Sequence, residues 1–261
     1  MGWLVHDMIH YTTKHAGEPV LFLHGFLEQG AMFEELTNPL KDFHCIVPDL
    51  PGHGKSTDRK EFSMSAMAHA VLELLDHLNI KQAHVVGHSM GAYVAMEMIR
   101  RAPERIKSVL FFQSTAGADS PELKDRRDRS IDAVNQNKTR YLRTVINGLF
   151  AEETKAQFQP KIDALIEDVL AMEEAAIIGA TTGMRNRLDS RELVRDLAIP
   201  VGYFLGANDP VLPPERMLEE MKFVGPNNYF MDPKMGHMAH VEAPELANDY
   251  LRLWLKSSAQ L

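Results

Sequence analysis

Short apolar runs alternate along the chain with longer stretches of helical periodicity, and this alternation limits the folds that the chain can adopt. Six apolar runs predict buried strands, at residues 20–23, 45–47, 85–86, 109–112, 201–205 and 229–231. Helical patterns accompany them, at residues 32–40, 65–78, 90–101 and 245–256. Because strands that alternate with helices are typical of right-handed crossover connections, we predict an α/β fold with a mostly parallel central sheet flanked by helices.

One stretch, residues 115–188, departs from this alternation because it contains helical patterns and no convincing strand. The helical periodicity is clearest at residues 141–150 and 162–172. We expect residues 1–114 and 189–261 to form the core domain, and residues 115–188 to form a helical cap, or lid, over the carboxyl ends of the strands. The alternative is that these helices pack at the edge of the sheet and cover no site.

The composition is that of a globular protein, with 45% apolar and 25% charged residues among 261. Acidic residues (36) outnumber Lys and Arg (28), and the net charge of −8 disfavours nucleic acid or an anionic membrane surface as the main partner. The basic run at residues 124–129 is interleaved with acids and is interpreted as a solvated helix face. No apolar run approaches the ~20 residues that span a bilayer, so we expect no membrane insertion.

The single cysteine, Cys45, lies in a predicted strand and is interpreted as a small core residue. It cannot form an intramolecular disulfide, which is compatible with a reducing compartment. The first seven residues contain no basic segment followed by an apolar one, so we expect no signal peptide. These features predict a cytoplasmic protein and leave its oligomeric state open.

The segment Gly87-His88-Ser89-Met90-Gly91 lies between a predicted strand and a predicted helix. This strand–turn–helix setting is the one that the G-x-S-x-G nucleophile elbow requires, with glycines where the crowded turn excludes side chains. The helix N-terminus beneath Ser89 stabilises developing negative charge. We therefore predict that Ser89 is a catalytic nucleophile rather than part of an ordinary turn.

A serine hydroxyl needs a general base, and twelve histidines are the candidates. His237 follows the last predicted strand and precedes the last helix, which places it at the same sheet edge as the elbow; His240 is its rival. Asp209, just after the strand at residues 201–205, is the candidate that orients the imidazole. Asp232 is nearer to His237 in sequence, but at a strand end it is interpreted as a turn residue.

Acyl transfer also needs two N–H donors for the oxyanion. We predict the backbone N–H of Met90, directly after the nucleophile, and that of Phe26, in the loop after residues 20–23 where Gly25 allows a close approach. Apolar residues near these positions are expected to bind substrate, although core packing explains many of them equally well. They are Leu27, Leu149, Phe150, Met184, Val211, Leu212 and Met238.

Five segments together resemble the α/β-hydrolase superfamily, in particular its compact, lidded esterase and lactonase branch. They are His24-Gly25-Phe26, Asp49-Leu50-Pro51-Gly52-His53-Gly54-Lys55-Ser56, the elbow, Gly206-Ala207-Asn208-Asp209 and Gly236-His237. The resemblance covers nearly the whole chain outside the predicted lid. It implies a helical lid inserted after the sixth strand, the chain order Ser89, Asp209, His237, and a structural rather than catalytic role for His53.

Some relatives in the superfamily fit less well. Haloalkane dehalogenases and epoxide hydrolases carry aspartate where this chain has Ser89. Carbon–carbon bond hydrolases usually have a longer, Gly-Pro-Gly-rich oxyanion loop than His-Gly-Phe-Leu-Glu, which lowers that assignment without excluding it.

The sequence therefore predicts a serine hydrolase, like a carboxylesterase, that cleaves an ester, lactone or thioester of a small to medium, apolar acyl substrate through an acyl-serine intermediate. The sequence has no metal-spaced His/Cys cluster and no phosphate-binding glycine loop, so we expect no metal or cofactor and a small molecule as the partner. The alternatives are a ligand receptor that keeps the triad but turns over slowly, and a cofactor-free lyase, perhydrolase or carbon–carbon bond hydrolase on the same fold.

Overall fold

The computed structural model describes residues 8–225 and 228–260, and its central element is a seven-stranded sheet. The strands are β1 (Tyr11–Lys14), β2 (Glu18–Leu23), β3 (Phe43–Pro48), β4 (Ala83–His88), β5 (Ile106–Phe112), β6 (Val201–Gly206) and β7 (Tyr229–Asp232). Their order is β1-β3-β2-β4-β5-β6-β7, and every neighbouring pair is parallel except β1 and β3. The predicted parallel sheet is confirmed; the first seven residues, where no signal peptide was expected, lie outside the described part.

All six predicted strands are present, within β2 to β7. The strand β1 was not predicted, because its sequence Tyr-Thr-Thr-Lys is only partly buried at the edge of the sheet and lacks an apolar run. Within β2, Val20 and Phe22 point to one face of the sheet, and Leu21 and Leu23 point to the other. Both faces are therefore apolar, as expected for a sheet covered by helices on both sides.

The helices lie on the two faces of the sheet and above its carboxyl edge. They are α1 (Glu34–Thr37), α2 (Met64–His77), α3 (Met90–Arg101), α4 (Pro121–Asn147), α5 (Gln159–Leu170), α6 (Glu174–Arg185), α7 (Arg191–Asp196), α8 (Pro214–Met221), α9 (Ala239–Glu242) and α10 (Pro244–Ser258). The helix expected at residues 32–40 is shorter than predicted, with a 3₁₀ turn at Gly30–Phe33 followed by the single turn of α1. None of the helices in the described residues is long and apolar enough to cross a membrane.

The strand-free stretch contains α4, α5 and α6 between β5 and β6. The helix α4 is kinked at Asn137 (φ −162°, ψ 89°), whose side-chain oxygen accepts a hydrogen bond from the backbone N–H of Arg140 at 2.9 Å and so caps the second half. The resemblance implied insertion after a sixth strand, but in the described chain the insertion follows β5, the fifth, because only β1 precedes β2.

Apolar side chains of α4, α5 and α6 form a cluster of their own with the loops at the carboxyl edge of the sheet. Its buried members include Leu27, Val134, Leu142, Ile146, Ile162, Ile166, Ile177 and Met238. The assignment of residues 115–188 as a cap remains a prediction.

Candidate active site

Ser89 occupies a strained turn between the last residue of β4 and the first residue of α3. Its backbone has φ 47° and ψ −113°, a region that residues other than glycine rarely adopt. The turn is fixed from the neighbouring strand: the Ser89 N–H donates to the carbonyl of Phe112 at 3.1 Å, and the Ser114 hydroxyl donates to the Ser89 carbonyl at 2.7 Å. Such strain persists only where the surrounding structure enforces it, and it concentrates at functional sites.

The glycines that flank the turn are required by close backbone contacts. A Cβ atom on Gly91 would overlap the carbonyl oxygen of Leu23 at the end of β2. A Cβ atom on Gly87 would lie 2.5 Å from the backbone of Ala92 in α3. The helix therefore packs directly against the strands, which places its N-terminus beneath Ser89.

The structure brings Ser89, His237 and Asp209 into one hydrogen-bonded chain. The Ser89 Oγ lies 2.9 Å from His237 Nε2, and His237 Nδ1 lies 2.7 Å from Asp209 Oδ2. Because a carboxylate only accepts, Nδ1 carries the ring proton and Nε2 is free to accept the serine proton. The side chains of His237 and Asp209 are 3% and 1% exposed, so this chain is shielded from water.

Backbone groups fix the aspartate and the histidine. The other carboxylate oxygen of Asp209 accepts the N–H groups of Val211 at 2.7 Å and Leu212 at 2.9 Å. The N–H of His237 donates to the carbonyl of Leu149 at 3.0 Å, which connects the histidine loop to the segment after α4. These contacts leave Asp209 Oδ2 directed at the imidazole.

The two rivals from the sequence lie elsewhere. Asp232 accepts the N–H groups of Lys234 at 2.7 Å and Met235 at 3.1 Å, which confirms its interpretation as a turn residue. His240 is buried among aromatic rings, and within the described residues no group hydrogen-bonds either ring nitrogen. Burial lowers the pKa of His240 to about 3, so it is neutral.

A second serine–histidine pair shows why proximity alone does not define the site. Ser108 Oγ lies 2.7 Å from His84 Nδ1, and Glu18 lies 3.3 Å from His84 Nε2. This group lies at the amino ends of β4 and β5, and Ser108 is fully buried within the sheet. Ser108 lies neither in a nucleophile elbow nor at a helix N-terminus. It therefore serves as an internal control for Ser89.

The loop after β2 supplies the second predicted oxyanion donor. The N–H of Gly25 donates to Glu28 at 2.9 Å, whereas the N–H of Phe26 has no acceptor among the described residues. Leu27 follows with φ 63°. Met90 is the first residue of α3, so its N–H has no acceptor within the helix. Both predicted donors are therefore free of the usual backbone partners.

A buried ion pair, which the sequence analysis missed, lies beneath this loop. Glu28 and His88 are 1% and 0% exposed, and a Glu28 oxygen lies 3.0 Å from His88 Nδ1. The other ring nitrogen, Nε2, lies 2.9 Å from the carbonyl of His237. Because both partners only accept, both ring nitrogens carry protons and His88 is an imidazolium. The pair thus connects the oxyanion loop, the elbow and the histidine loop.

The same pair is part of the group in the described residues that comes closest to a metal site. Ligand atoms of Glu28, His88 and His240 lie within 4.8 Å of one another. A metal ion there would have to displace a proton from His88, whose two nitrogens already donate. The geometry therefore fits an ion pair better than a metal centre.

Ser89 and His237 open into a cavity of about 260 Å³ between the sheet edge and the helices α4 and α6. Phe26 and three of the seven predicted substrate-binding residues line it: Leu149, Met184 and Val211. Four others do not: Leu27, Phe150, Leu212 and Met238. Of these, Leu27, Phe150 and Met238 pack in the apolar cluster of α4, α5 and α6, and Leu27 also lines a separate cavity of about 310 Å³ that does not contain Ser89.

Much of the remaining lining is polar and was not predicted. It comprises Glu28, Tyr93, Arg126, Arg127, Ser130, Tyr141 and Thr144, with Val145, Gly148 and Pro210. Most of these residues belong to α4. Their alternating charges hid the inward face of the helix, because periodicity in apolar residues does not reveal a polar lining.

Comparison with known proteins agrees with this geometry. Residues 18–244 match the sequence signature of a family described as alpha/beta hydrolase fold. The chain is 28% identical over 249 residues to the dihydrolipoyllysine-residue acetyltransferase component of the acetoin cleaving system of Pseudomonas putida, across 92% of this chain and 64% of that protein. The chain thus spans less than two thirds of that relative's length. It is 25% identical over 245 residues to Lipase 3 of Moraxella sp., across 90% of this chain and 76% of the lipase.

Among solved structures, a thermophilic esterase from Thermogutta terrifontis with malate bound superimposes with a TM-score of 0.88. The two sequences are 29% identical, and the match covers 96% of this chain and 93% of the esterase. Because the family signature extends over most of its length, this chain belongs to the α/β-hydrolase fold family.

Proposed function

We propose that this protein is a serine hydrolase that cleaves an ester bond, with Ser89 as the nucleophile, His237 as general base and acid, and Asp209 as the residue that orients His237. The observation that carries the proposal is the hydrogen-bonded chain from Ser89 to Asp209, with links of 2.9 and 2.7 Å, facing a cavity at the carboxyl edge of the sheet. The esterase and lipase relatives support ester hydrolysis as the reaction.

The proposed reaction proceeds through an acyl-serine intermediate. The Ser89 hydroxyl passes its proton to His237 Nε2 as the oxygen attacks the ester carbon. The imidazolium, paired with Asp209, then donates that proton to the leaving alcohol. Water takes the alcohol's place and attacks the acyl carbon as it loses a proton to His237. The bond from the acyl carbon to Ser89 Oγ then breaks, His237 returns the proton to Oγ, and the acid leaves.

The negative charge on the carbonyl oxygen is proposed to be bound by the N–H groups of Phe26 and Met90. Preorganised donors of this kind contribute about 3–4 kcal/mol each to the transition state, because they need not reorient when the charge develops. The strained turns at Ser89 and Leu27 fix the two backbone segments that carry these donors.

We propose that α4, α5 and α6 act as the cap and that the substrate is small. Leu149, Met184 and Val211 form the apolar part of the wall. A volume of 260 Å³ corresponds to the space of roughly nine water molecules, which suits a short acyl or alcohol group of an ester, lactone or thioester.

The test is covalent labelling of the folded protein with a fluorophosphonate probe, followed by peptide mapping. We expect a single label on Ser89 that is lost in Ser89→Ala and strongly slowed in His237→Ala. The matched controls are Ser108→Ala and His84→Ala, which remove the second serine–histidine pair; both should label at Ser89 as the wild type does.

Steady-state hydrolysis of a panel of short esters should accompany labelling. A label on Ser108, or no label on a protein that circular dichroism shows to be folded, would contradict the assignment of the nucleophile. Labelling of Ser89 without turnover of any ester would instead favour a receptor with slow turnover.

A further inference from the structure

The cavity at Ser89 has two arginines in its wall, although their sequence was interpreted as a solvated helix face. Arg126 and Arg127 lie on α4 and line the cavity together with Ser130 and Tyr141. The polar part of the cavity therefore has positive charge and neutral hydroxyl groups close to the proposed nucleophile. An arginine in such a position is paired with an acid, solvated, or available to a ligand.

Arg127 has an acidic partner. Its Nε lies 3.2 Å from Asp119, a side chain that is 2% exposed. The same carboxylate lies 2.7 Å from Arg187, whose guanidinium also stacks over the Tyr93 ring at 4.0 Å. One carboxylate thus binds two arginines, Arg127 through Oδ2 and Arg187 through Oδ1.

Arg126 has no such partner. Within the described residues its guanidinium makes no hydrogen bond and no ion pair, and the side chain is exposed where the cavity meets solvent. Partial burial and the positive charge of Arg127 lower the pKa of Arg126. Glu28 is the acid in the cavity wall, but it is already paired with His88 and Gly25.

We infer that the substrate of the proposed hydrolase is an ester that also carries a carboxylate, and that Arg126 binds this carboxylate. The planar guanidinium fork matches a carboxylate with two parallel hydrogen bonds. Tyr141 and Ser130, which carry hydroxyl groups, line the same cavity. A short substrate of this kind is a monoester of a four- or five-carbon dicarboxylic acid.

The inference rests on the proposed function and is tested with two matched pairs of esters. Monomethyl glutarate, with its carboxylate on the acyl side, is compared with methyl hexanoate. The compound 3-acetoxypropanoate, with its carboxylate on the alcohol side, is compared with butyl acetate. We expect the wild type to favour at least one anionic ester over its neutral partner in kcat/KM.

The variant that tests the residue is Arg126→Gln. We expect the preference for the anionic ester to fall about 10- to 100-fold, the loss typical of a hydrogen bond to a charged group. The control is Arg129→Gln, because Arg129 is exposed on the same helix and does not line the cavity. It removes the same charge and should leave the preference unchanged.

The outcomes separate the inference from the function on which it rests. If neutral esters are hydrolysed but the anionic ones gain nothing, or Arg126→Gln lowers both members of a pair equally, the inference is wrong and the hydrolase stands. If Ser89 is not labelled and no ester is cleaved, both fall.

A binding readout covers the case in which Ser89 is labelled but none of the four esters is turned over. Glutarate at millimolar concentration should slow the labelling of Ser89 in the wild type and in Arg129→Gln, but not in Arg126→Gln. Equal labelling rates with and without glutarate in the wild type would refute the carboxylate site.

Discussion

The buried pair of Glu28 and His88 makes a prediction that can be worked out from its contacts. Burial by itself would lower the pKa of His88, but the charge of Glu28 and its hydrogen bond raise it above the ordinary value of 6.5. Burial by itself would raise the pKa of Glu28, but His88 holds it well below its usual range. The substitution that tests the pair is Glu28→Gln, which keeps the shape of the side chain and removes the charge.

The loss of free energy of unfolding in Glu28→Gln has two contributions, the broken ion pair and the changed pKa values. Removing one partner of a buried ion pair costs about 3–5 kcal/mol, and we expect the lower end because the amide can donate to a neutral His88. The second contribution depends on pH. The stabilisation due to His88 is fully present below pH 6.5 and is lost as the pH rises through its raised folded-state pKa. The stabilisation due to Glu28 is present above pH 4.5 and is lost only as the pH falls through its lowered folded-state pKa.

In folded Glu28→Gln, burial without the opposing charge leaves His88 neutral, so between pH 5.5 and 6.5 the folded wild type binds one proton that the folded variant does not. The stability of the wild type is unaffected by His88 in this range, and that of the variant rises with pH. The advantage of the wild type in free energy of unfolding should shrink by about 1.4 kcal/mol over that pH unit. Urea unfolding followed by circular dichroism at pH 5.5, 6.0 and 6.5 measures this slope.

The matched control for the pair is Glu220→Gln. Glu220 is 1% exposed and accepts hydrogen bonds from Ala116 at 2.7 Å and Tyr203 at 3.2 Å, and no histidine of the described residues is among its hydrogen-bond partners. Glu220→Gln should lower stability without the loss of a histidine proton that Glu28→Gln causes. A difference between wild type and Glu28→Gln that stays constant from pH 5.5 to 6.5 would refute the ionised pair.

Three further predictions concern the site. Asp209→Asn should favour the wrong imidazole tautomer and lower kcat by about 10⁴, or about 5–6 kcal/mol, in a steady-state ester assay, whereas Asp232→Asn should change kcat little. Gly91→Ala should destabilise the fold by about 1–3 kcal/mol in urea unfolding and slow fluorophosphonate labelling, because its Cβ would overlap a β2 carbonyl. Leu149→Ala should shift the chain-length preference toward longer esters, whereas Phe150→Ala, in the cap but outside the cavity, should lower stability without that shift; the reverse result would remove Leu149 from the wall.

The parts of the fold and site that the sequence predicted depend on local patterns. The buried strands are short apolar runs, and residues that follow parallel strands meet at one edge of the sheet. Ser89, Asp209 and His237 follow β4, β6 and β7, so their meeting could be expected from the order of the strands alone. His237 and His240 are only three residues apart in the sequence. The distance of 2.9 Å between His237 Nε2 and Ser89 Oγ agrees with the choice of His237.

The parts that could not be predicted depend on how separate elements pack. The cavity wall is set by the position of α4 against the sheet, and no periodicity in α4 records that position. Leu27 and Phe150 are apolar and close to the site in sequence, yet they pack behind the wall rather than along it. Arg126 and Arg127 alternate with acids, as solvated residues do, so nothing in the run marked them as part of the cavity.

The ion pair of Glu28 and His88 positions two loops of the site, and its effect on stability does not explain its presence. An apolar pair of equal volume is often as stable as a buried ion pair or more so, so stability does not explain why two charges lie here. Their hydrogen bonds, however, reach the N–H of Gly25 and the carbonyl of His237, groups in two different loops. An apolar pair could pack against those loops but could not fix the direction of a backbone N–H or carbonyl. The pair therefore sets the position of the loop that carries the Phe26 N–H relative to Ser89 and His237, the alignment on which the proposed oxyanion binding depends.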